Sequence, residues 1–200
     1  MAKKRRIGRC ERKTRETSIL VELNLDAPAR AGKGIRTSVP FMDHMLTLCS
    51  AHGGFPLAVR ASGDTKVDDH HLVEDLGICF GKAVKDALNG SPSYRRYGEA
   101  TVPMDEALVQ VVLDLSGRSY LAYGLKPGAK RIGSFDASLI EEFFLGFTRN
   151  VPCTLHIRQL EGRNAHHIVE AAFKSFGLAL GRASVSGGPF SKVPSTKGVL

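Results

Sequence analysis

Apolar residues alternate with others in two segments, clearly in 16–25 and less cleanly in 106–115, where both faces are apolar. Two further segments are strand-like, and in four others the apolar positions recur at helical intervals. Alternation with a period of two residues predicts a strand with one buried face, and recurrence every three or four residues predicts an amphipathic helix. The predicted strands are 16–25, 55–61, 106–115 and 153–159, and the predicted helices are 41–52, 70–87, 138–149 and 166–183. With one further strand assigned to each half, both halves are predicted to follow the order strand, strand, helix, strand, helix.

The second half of the sequence repeats the first. Segment 16–25 recurs at 106–115, 41–52 at 138–149, 55–61 at 153–159 and 70–87 at 166–183. Such a duplication predicts an α+β fold in which two small sheets pack against four helices gathered on one side. The predicted organisation is one compact domain made of a basic N-terminal arm at 1–13, half-repeats at 14–93 and 94–185, and a substrate-binding tail at 186–200.

Length and composition place the chain among ordinary globular proteins. It has 200 residues, 42% of them hydrophobic and 24% charged, which suits one medium-sized domain. No apolar run approaches the roughly 18 residues of a membrane span, and the N-terminus has no secretory h-region. The four cysteines form no CxxC pair, so a reducing, cytoplasmic location is expected.

The net charge of +8 is concentrated near the N-terminus, where seven basic residues fall within 3–13. A solvated tail is the favoured interpretation of this arm, with a nucleic-acid arm as the alternative. Further basic residues suit an anionic small molecule, namely Arg95, Arg96, Arg118, Lys174, Lys192 and Lys197. No aromatic stacking platform or recognition-helix pattern supports nucleic-acid binding.

The main chemical signal is a His-His-x-x-Glu motif that occurs at 70–74 and again at 166–170, and that holds four of the seven histidines. Residues three or four apart share a helix face, so both histidines and the glutamate of each copy are predicted to lie together. Imidazole and carboxylate ligands suit Mn, Fe or Zn better than Ca or Mg. One His pair alone is typical of ordinary surface chemistry, but its recurrence favours two metal sites. Asp68 and Asp69 are expected either to cap the first of these helices or to orient its imidazoles.

Another ligand candidate stands on the other helix of each half. His44 lies among apolar residues at helical spacing, and its repeat counterpart is Glu142. A buried structural histidine is one interpretation of His44, but two polar side chains at equivalent positions favour a metal ligand in each half. The pooled candidates, enough for two sites of four ligands, are His44, His70, His71, Glu74, Glu142, His166, His167 and Glu170.

Ordered motifs over nearly the whole chain after the arm resemble the imidazoleglycerol-phosphate dehydratase family. Several are weak alone, but together and in order they are specific. They lie at 15–17, 41–46, 68–71, 74–75, 95–98, 103–107, 113–118, 164–167 and 194–200.

The resemblance implies a fold, an assembly and an activity. It implies two halves similar to the second domain of ribosomal protein S5, and a homo-oligomer of 24 subunits with two Mn(II) sites per subunit built between neighbouring chains. The implied reaction is the dehydration of imidazole-glycerol phosphate to imidazole-acetol phosphate, with the substrate bound as an imidazolate. Divalent ions are expected to stabilise the charge that develops when the side-chain proton leaves. Glu16, or a carboxylate released from or beside the metals, is expected to move protons.

The resemblance also assigns roles to individual residues. The expected catalytic set is Glu16, His44, His70, His71, Glu74, His166, His167 and Glu170. The expected substrate-binding set, mostly cations for the phosphate, is Glu16, Arg95, Arg96, Arg118, Lys174, Ser195 and Lys197.

The sequence departs from the family pattern at two positions, Leu48 and Glu142. Many relatives have Gln at the position of Leu48, so a polar contact to substrate is expected to be missing or replaced. Many have His where this chain has Glu142, and the glutamate of this chain is expected to make that site harder and more anionic. Two other functions stay open, namely a metal-stapled RNA-binding protein with an S5-like fold and a metallohydrolase.

Overall fold

The computed structural model of the chain describes residues 5–29, 34–89, 91, 93–187 and 194. The helices of this described part are α1 (Pro40–Gly53), α2 (His70–Leu88), α3 (Leu139–Asn150) and α4 (Ala165–Ser184). Its strands are β1 (Ile7–Lys13), β2 (Thr17–Asn24), β3 (Ile35–Arg36), β4 (Leu57–Gly63), β5 (Tyr97–Met104), β6 (Ala107–Asp114), β7 (Tyr120–Gly124), β8 (Arg131–Ile132), β9 (Phe135–Asp136) and β10 (Thr154–Glu161).

Two four-stranded sheets share one topology. The strand orders are β1-β2-β4-β3 and β5-β6-β10-β7, and in each sheet the last strand is parallel to its neighbour while the other pairs are antiparallel. The inward positions of β2 and β6 alternate with exposed or half-buried ones, as expected for sheets covered on one face. Sheet architecture and helix number confirm the predicted α+β fold with duplicated halves.

The helices form a single layer shared by both halves. α2 packs on β1 and β2, and α4 packs on β5 and β6, while α1 pairs with α4 and α3 pairs with α2. Each helix pair therefore combines one helix from each half. At the centre of the layer, the Phe147 and Phe176 rings lie 4.9 Å apart, and both contact Phe80. The halves bury one continuous core, so neither half packs by itself.

Close backbone contact between strand and helix recurs at equivalent glycines. A Cβ on Gly8 would overlap the Ala83 carbonyl of α2, and a Cβ on Gly98 would overlap the Ala179 carbonyl of α4. Only a residue without a side chain lets these helices lie so near the sheet. The spacing between sheet and helix layer is therefore set by the same device in both halves.

The interpretation of the basic N-terminal segment as a solvated tail is wrong for the part that the structure describes. Residues 7–13 form β1, which pairs with β2 along its length. Arg6 is only 6% exposed, and its guanidinium contacts the Asp26 carboxylate and the Ser184 carbonyl. Arg9 and Lys13 face outward and alternate with Gly8 and Cys10, which face α2, while Arg12 shares the inward face and pairs with Asp75 of α2 at 2.7 Å. The segment therefore has a strand periodicity that its charge conceals.

No helix in the described part of the chain is long and apolar enough to cross a membrane. All four cysteines are buried thiols without a disulfide. Desolvation raises the pKa of Cys153 to about 12, so this thiol is protonated and inert at neutral pH.

Candidate metal centre

Two helices from different halves bring three ligand atoms together. His44 stands on the exposed face of α1, and His166 and Glu170 stand one turn apart on the first half of α4. Asn164 caps α4 by accepting a hydrogen bond from the His166 backbone N–H at 2.9 Å, which fixes the turn that carries the histidine. Because α1 and α4 form one helix pair, residues distant in sequence become neighbours.

The three side chains have the geometry of a ligand set. Glu170 Oε2 lies 3.3 Å from His44 Nε2 and 3.1 Å from His166 Nε2. One ligand atom from each residue falls within 4.8 Å of the other two. Two imidazole nitrogens and a carboxylate oxygen at this separation can converge on one divalent transition-metal ion. The alternative of a buried structural histidine is wrong, since the His44 side chain is 47% exposed.

Glu170 is a buried carboxylate held in its charged form. Burial by itself raises its pKa, but the hydrogen bonds from Lys174 and His44, the Lys174 charge and His166 outweigh burial, and the net pKa is lowered. Lys174 Nζ lies 2.6 Å from Glu170 Oε1, so one oxygen faces the ammonium and the other faces the imidazoles. An ionised carboxylate beside two imidazoles is ready to accept a cation.

The second histidine of each motif points away from the first, contrary to the prediction that both share a face with the glutamate. The rings of His166 and His167 are 6.4 Å apart and nearly perpendicular, at 89°. His70 and His71 repeat this arrangement at 6.2 Å and 80°. The i, i+4 pairing of His166 with Glu170 is confirmed. Adjacent helix positions lie about 100° apart around the axis, so one His-His pair serves two different places.

His167 is held by a carboxylate from the turn between β5 and β6. Its Nδ1 lies 2.7 Å from Glu106 Oε2, and Glu106 Oε1 accepts the backbone N–H groups of Arg163 and Asn164. The His167 hydrogen bond and then these backbone bonds lower the pKa of Glu106 to about 2. In return the Glu106 hydrogen bond raises the pKa of His167.

His71 is held in a related way at the end of β4. Its Nδ1 lies 3.1 Å from Asp64 Oδ2 and 3.9 Å from Glu16 Oε2. The Asp64 hydrogen bond, followed by the Glu16 charge, raises the pKa of His71. The expectation that Asp68 or Asp69 orients an imidazole has no support in these contacts, although Asp68 does accept the His70 backbone N–H at 2.8 Å.

The repeat-related trio His70, Glu74 and Glu142 does not converge within one chain. Over the described residues, the His44 set is the only group of three His, Cys, Asp or Glu side chains with ligand atoms this close. Glu74 and Glu142 are half-buried on the paired helices α2 and α3. A second site built from the remaining candidates therefore lacks at least one ligand inside a single chain.

The predicted phosphate-binding cations occupy different environments. Arg96 makes two hydrogen bonds with Asp114, at 2.7 and 3.2 Å, and donates to the Pro194 carbonyl at 2.5 Å. Arg95 and Arg118 are exposed. Lys174 is paired with Glu170, as described. The predicted Ser195 and Lys197 lie outside the described residues.

Two site residues were missed by the sequence reasoning, namely Asp64 and Glu106. Glu106 is the repeat counterpart of Glu16, so the internal alignment carried a signal for it. Asp64 has no such signal, because only the fold brings the end of β4 beside the start of α2. Leu48, the other departure from the family pattern, packs half-buried against the core.

Comparison with known proteins yields consistent matches. A family model for imidazoleglycerol-phosphate dehydratase matches residues 37–180. Enzymes of that name from Desulforamulus reducens and Syntrophus aciditrophicus are 49% and 52% identical, covering 98% and 95% of this chain and 98% and 96% of their own. Crystal structures of the enzymes from Staphylococcus aureus and Pyrococcus furiosus superpose with TM-scores of 0.80 and 0.81, at 37% and 40% identity. They cover 90% and 96% of this chain, and 99% and 100% of theirs.

Proposed function

This chain belongs to the imidazoleglycerol-phosphate dehydratase family and is a dehydratase of histidine biosynthesis, and from that premise we propose how it works. We propose that it converts imidazole-glycerol phosphate to imidazole-acetol phosphate with two divalent ions, Mn(II), per subunit equivalent. The observation that carries the metal proposal is the convergence of His44, His166 and Glu170 at one place. The donor set fits a divalent first-row metal ion, since it combines two imidazole nitrogens with a carboxylate oxygen, and Mn(II) is the ion that the family resemblance implies.

The second proposed site draws on the five other candidates, His70, His71, Glu74, Glu142 and His167. Since they do not converge in one chain, we propose that neighbouring subunits complete each site within a homo-oligomer, with 24 subunits as the proposed number. The divergent orientation of the two histidines in each motif supports this arrangement, because each motif can then serve two sites.

The bound ions supply Lewis-acid stabilisation of the charge that develops on the substrate ring. Glu16 is our candidate for moving the proton, since its carboxylate is 55% exposed and 3.9 Å from His71 Nδ1. The candidates for holding the phosphate are Arg95, Arg96, Arg118, Lys174, Ser195 and Lys197. Of these, the Arg96 guanidinium is already engaged by Asp114 and the Pro194 carbonyl, so we also assign it to holding Pro194.

The test of this function is turnover of imidazole-glycerol phosphate by the full chain supplied with Mn(II). Formation of imidazole-acetol phosphate with loss of one water supports the proposal. A metallohydrolase would release inorganic phosphate instead. An RNA-binding protein would give neither product and would bind RNA with an affinity that falls log-linearly with salt. Residues 7–13 pair with β2 and do not form a free basic arm, so they give that last alternative less support.

Chelation is expected to abolish turnover and to dissociate the assembly. If ligands from different subunits meet at each ion, removing the ion removes a bond between subunits and leaves charged side chains facing one another. We would measure mass by light scattering with EDTA and again after adding back Mn(II), with Mg(II) as the matched control ion. A particle that keeps its mass without metal contradicts the proposal that sites are shared between chains.

Mn(II) affinity and activity are expected to fall as the pH is lowered. The fall is expected to begin above about pH 6.5, the ordinary pKa of imidazole, and to continue through about pH 6. A ligating imidazole must be unprotonated, and the pKa values of His71 and His167 are raised, so protons compete at a higher pH than for a solvated imidazole. Competition with a fluorescent chelator between pH 5 and 8 measures this. Equal affinity at pH 5 and 8 would count against imidazole ligation.

We retain two organisational proposals. The half-repeats are proposed at 14–93 and 94–185, followed by a substrate-binding tail at 186–200, and β1 extends the sheet of the first half at its N-terminal end. A cytoplasmic location remains a proposal that rests on the four buried, unpaired thiols.

A further inference from the structure

The second histidine of each motif, His71 or His167, has its Nδ1 within hydrogen-bond distance of a carboxylate oxygen. The Nδ1-to-oxygen distances are 3.1 Å to Asp64 and 2.7 Å to Glu106. A neutral imidazole that donates from Nδ1 carries its lone pair on Nε2. Ligating histidines usually use one nitrogen for the metal and give the other N–H to a carboxylate or carbonyl, which fixes both tautomer and ring orientation.

The carboxylate that contacts His71 is not the repeat counterpart of the one that contacts His167. By the internal alignment, Glu16 is the counterpart of Glu106 and would be expected to hold His71 as Glu106 holds His167. Instead Glu16 is 3.9 Å from His71 Nδ1 and more than half exposed, while Asp64 lies closer. The Asp64 backbone N–H donates to the Glu16 carbonyl at 3.1 Å, which anchors the Asp64 loop in this position. The same task therefore falls to different residues in the two halves.

We propose that Glu106 and Asp64 are positioning residues that hold His167 and His71 in the tautomer with an open Nε2, and that Asp64, by taking over this task, leaves Glu16 uncommitted. This inference rests on the proposed function, since it concerns histidines assigned there to metal sites. It goes beyond that function by assigning work to two carboxylates that are not themselves proposed ligands.

The two carboxylates differ in how firmly they are held. Glu106 Oε1 accepts from Arg163 N at 3.1 Å and from Asn164 N at 2.7 Å, so its oxygens are not interchangeable. Within the described part of the chain, the contacts of the Asp64 carboxylate are with His71 alone, at 3.4 and 3.1 Å. An amide at position 106 must therefore keep its oxygen on the two backbone donors, whereas an amide at position 64 can rotate.

The tests use this difference. In Glu106→Gln, the amide NH₂ faces His167 Nδ1 and donates to it, which moves the ring proton to Nε2. Mn(II) affinity is expected to fall 10- to 100-fold, the usual cost of losing such a partner. In Asp64→Asn, the amide turns its oxygen toward His71, and affinity is expected to change less than threefold. Asp64→Ala removes the acceptor and is expected to lose 10- to 100-fold.

Two measurements on the full chain test the positioning roles of Glu106 and Asp64. Competition with a fluorescent chelator gives Mn(II) affinity, and imidazole ¹⁵N chemical shifts of the metal-free protein give the His167 tautomer. Glu106→Gln should convert His167 from Nδ1–H to Nε2–H, a change that a general loss of stability would not produce. Glu16→Gln is the matched variant in the other half, expected to keep Mn(II) affinity within threefold while losing turnover.

The outcomes distinguish a failure of the positioning roles from a failure of the proposed metal-dependent function. An unchanged His167 tautomer in Glu106→Gln, or Asn and Ala at position 64 having the same effect, overturns the positioning roles. A wild-type chain that binds no Mn(II) overturns the metal proposal instead, and the ¹⁵N shifts still judge the tautomer. If Glu16→Gln loses as much affinity as Asp64→Ala, Glu16 shares the task and is not uncommitted.

Discussion

Glu170→Gln is expected to lower kcat/KM by about a thousandfold, because an anionic ligand between two imidazoles stabilises a bound ion by several kcal/mol, and ~4 kcal/mol corresponds to three orders of magnitude. The amide keeps the shape of the side chain but not its charge. Glu170 Oε2 faces His44 and His166, and Oε1 forms an ion pair with Lys174, so the substitution removes the charge from the centre of the ligand set. We would measure turnover at a series of Mn(II) concentrations and Mn(II) affinity by chelator competition.

Two controls separate the loss of a ligand from other effects. Glu161→Gln changes an exposed carboxylate at the end of β10 and is expected to leave turnover within twofold. Lys174→Arg keeps a cation beside Glu170 and leaves the three ligands, so it is expected to keep Mn(II) affinity while changing the contact offered to substrate. Circular dichroism should show the same helix content in all variants. Full activity of Glu170→Gln at limiting Mn(II) would remove Glu170 from the metal site.

The helices and central strands were predictable because each has a strong periodicity of its own. The predicted helix 70–87 is observed as His70–Leu88, and 166–183 as Ala165–Ser184. β1 was missed because its outward positions are mostly charged, and its inward positions are Gly8, Cys10 and Arg12, which carry little hydrophobic signal. The two-residue strands β3, β8 and β9 were missed because they are shorter than any period that a pattern can show.

The candidate site was predictable in its residue types but not in its grouping. The repeat correctly suggested His44 as the partner of one motif, since α1 and α4 do bring His44, His166 and Glu170 together. It did not indicate that the second histidine of each motif turns away. The two histidines lie on opposite sides of the glutamate, about 100° apart around the helix axis, and the contacts of each ring then decide where it points. The carboxylates that hold those histidines come from loops, whose positions depend on the whole fold.

Alanine at Gly98 is expected to lower the free energy of unfolding by about 3 kcal/mol, the upper end of what overpacking costs, because the atom met by the new Cβ is a backbone carbonyl and not a flexible side chain. The overlap between the new Cβ and the Ala179 carbonyl is relieved only if α4 moves away from β5. Gly8→Ala meets the Ala83 carbonyl of α2 in the same way, so a similar loss is expected in the other half. Urea unfolding of the metal-free protein measures both.

Gly63→Ala is the matched control, since its Cβ would meet nothing closer than 3.3 Å, and its expected change is within about 1 kcal/mol. Equal losses at Gly8 and Gly98 would mean that both halves still depend on the same strand-to-helix contact. If either alanine leaves the urea midpoint unchanged, the helix in that half is not held against its sheet as closely as these contacts indicate.

The outcome also bears on the metal site, because α4 carries His166 and Glu170, and a shift of α4 from β5 moves both ligands relative to His44. Gly98→Ala is therefore expected to weaken Mn(II) binding as well as folding, whereas Gly8→Ala, which displaces α2, leaves the His44 set in place.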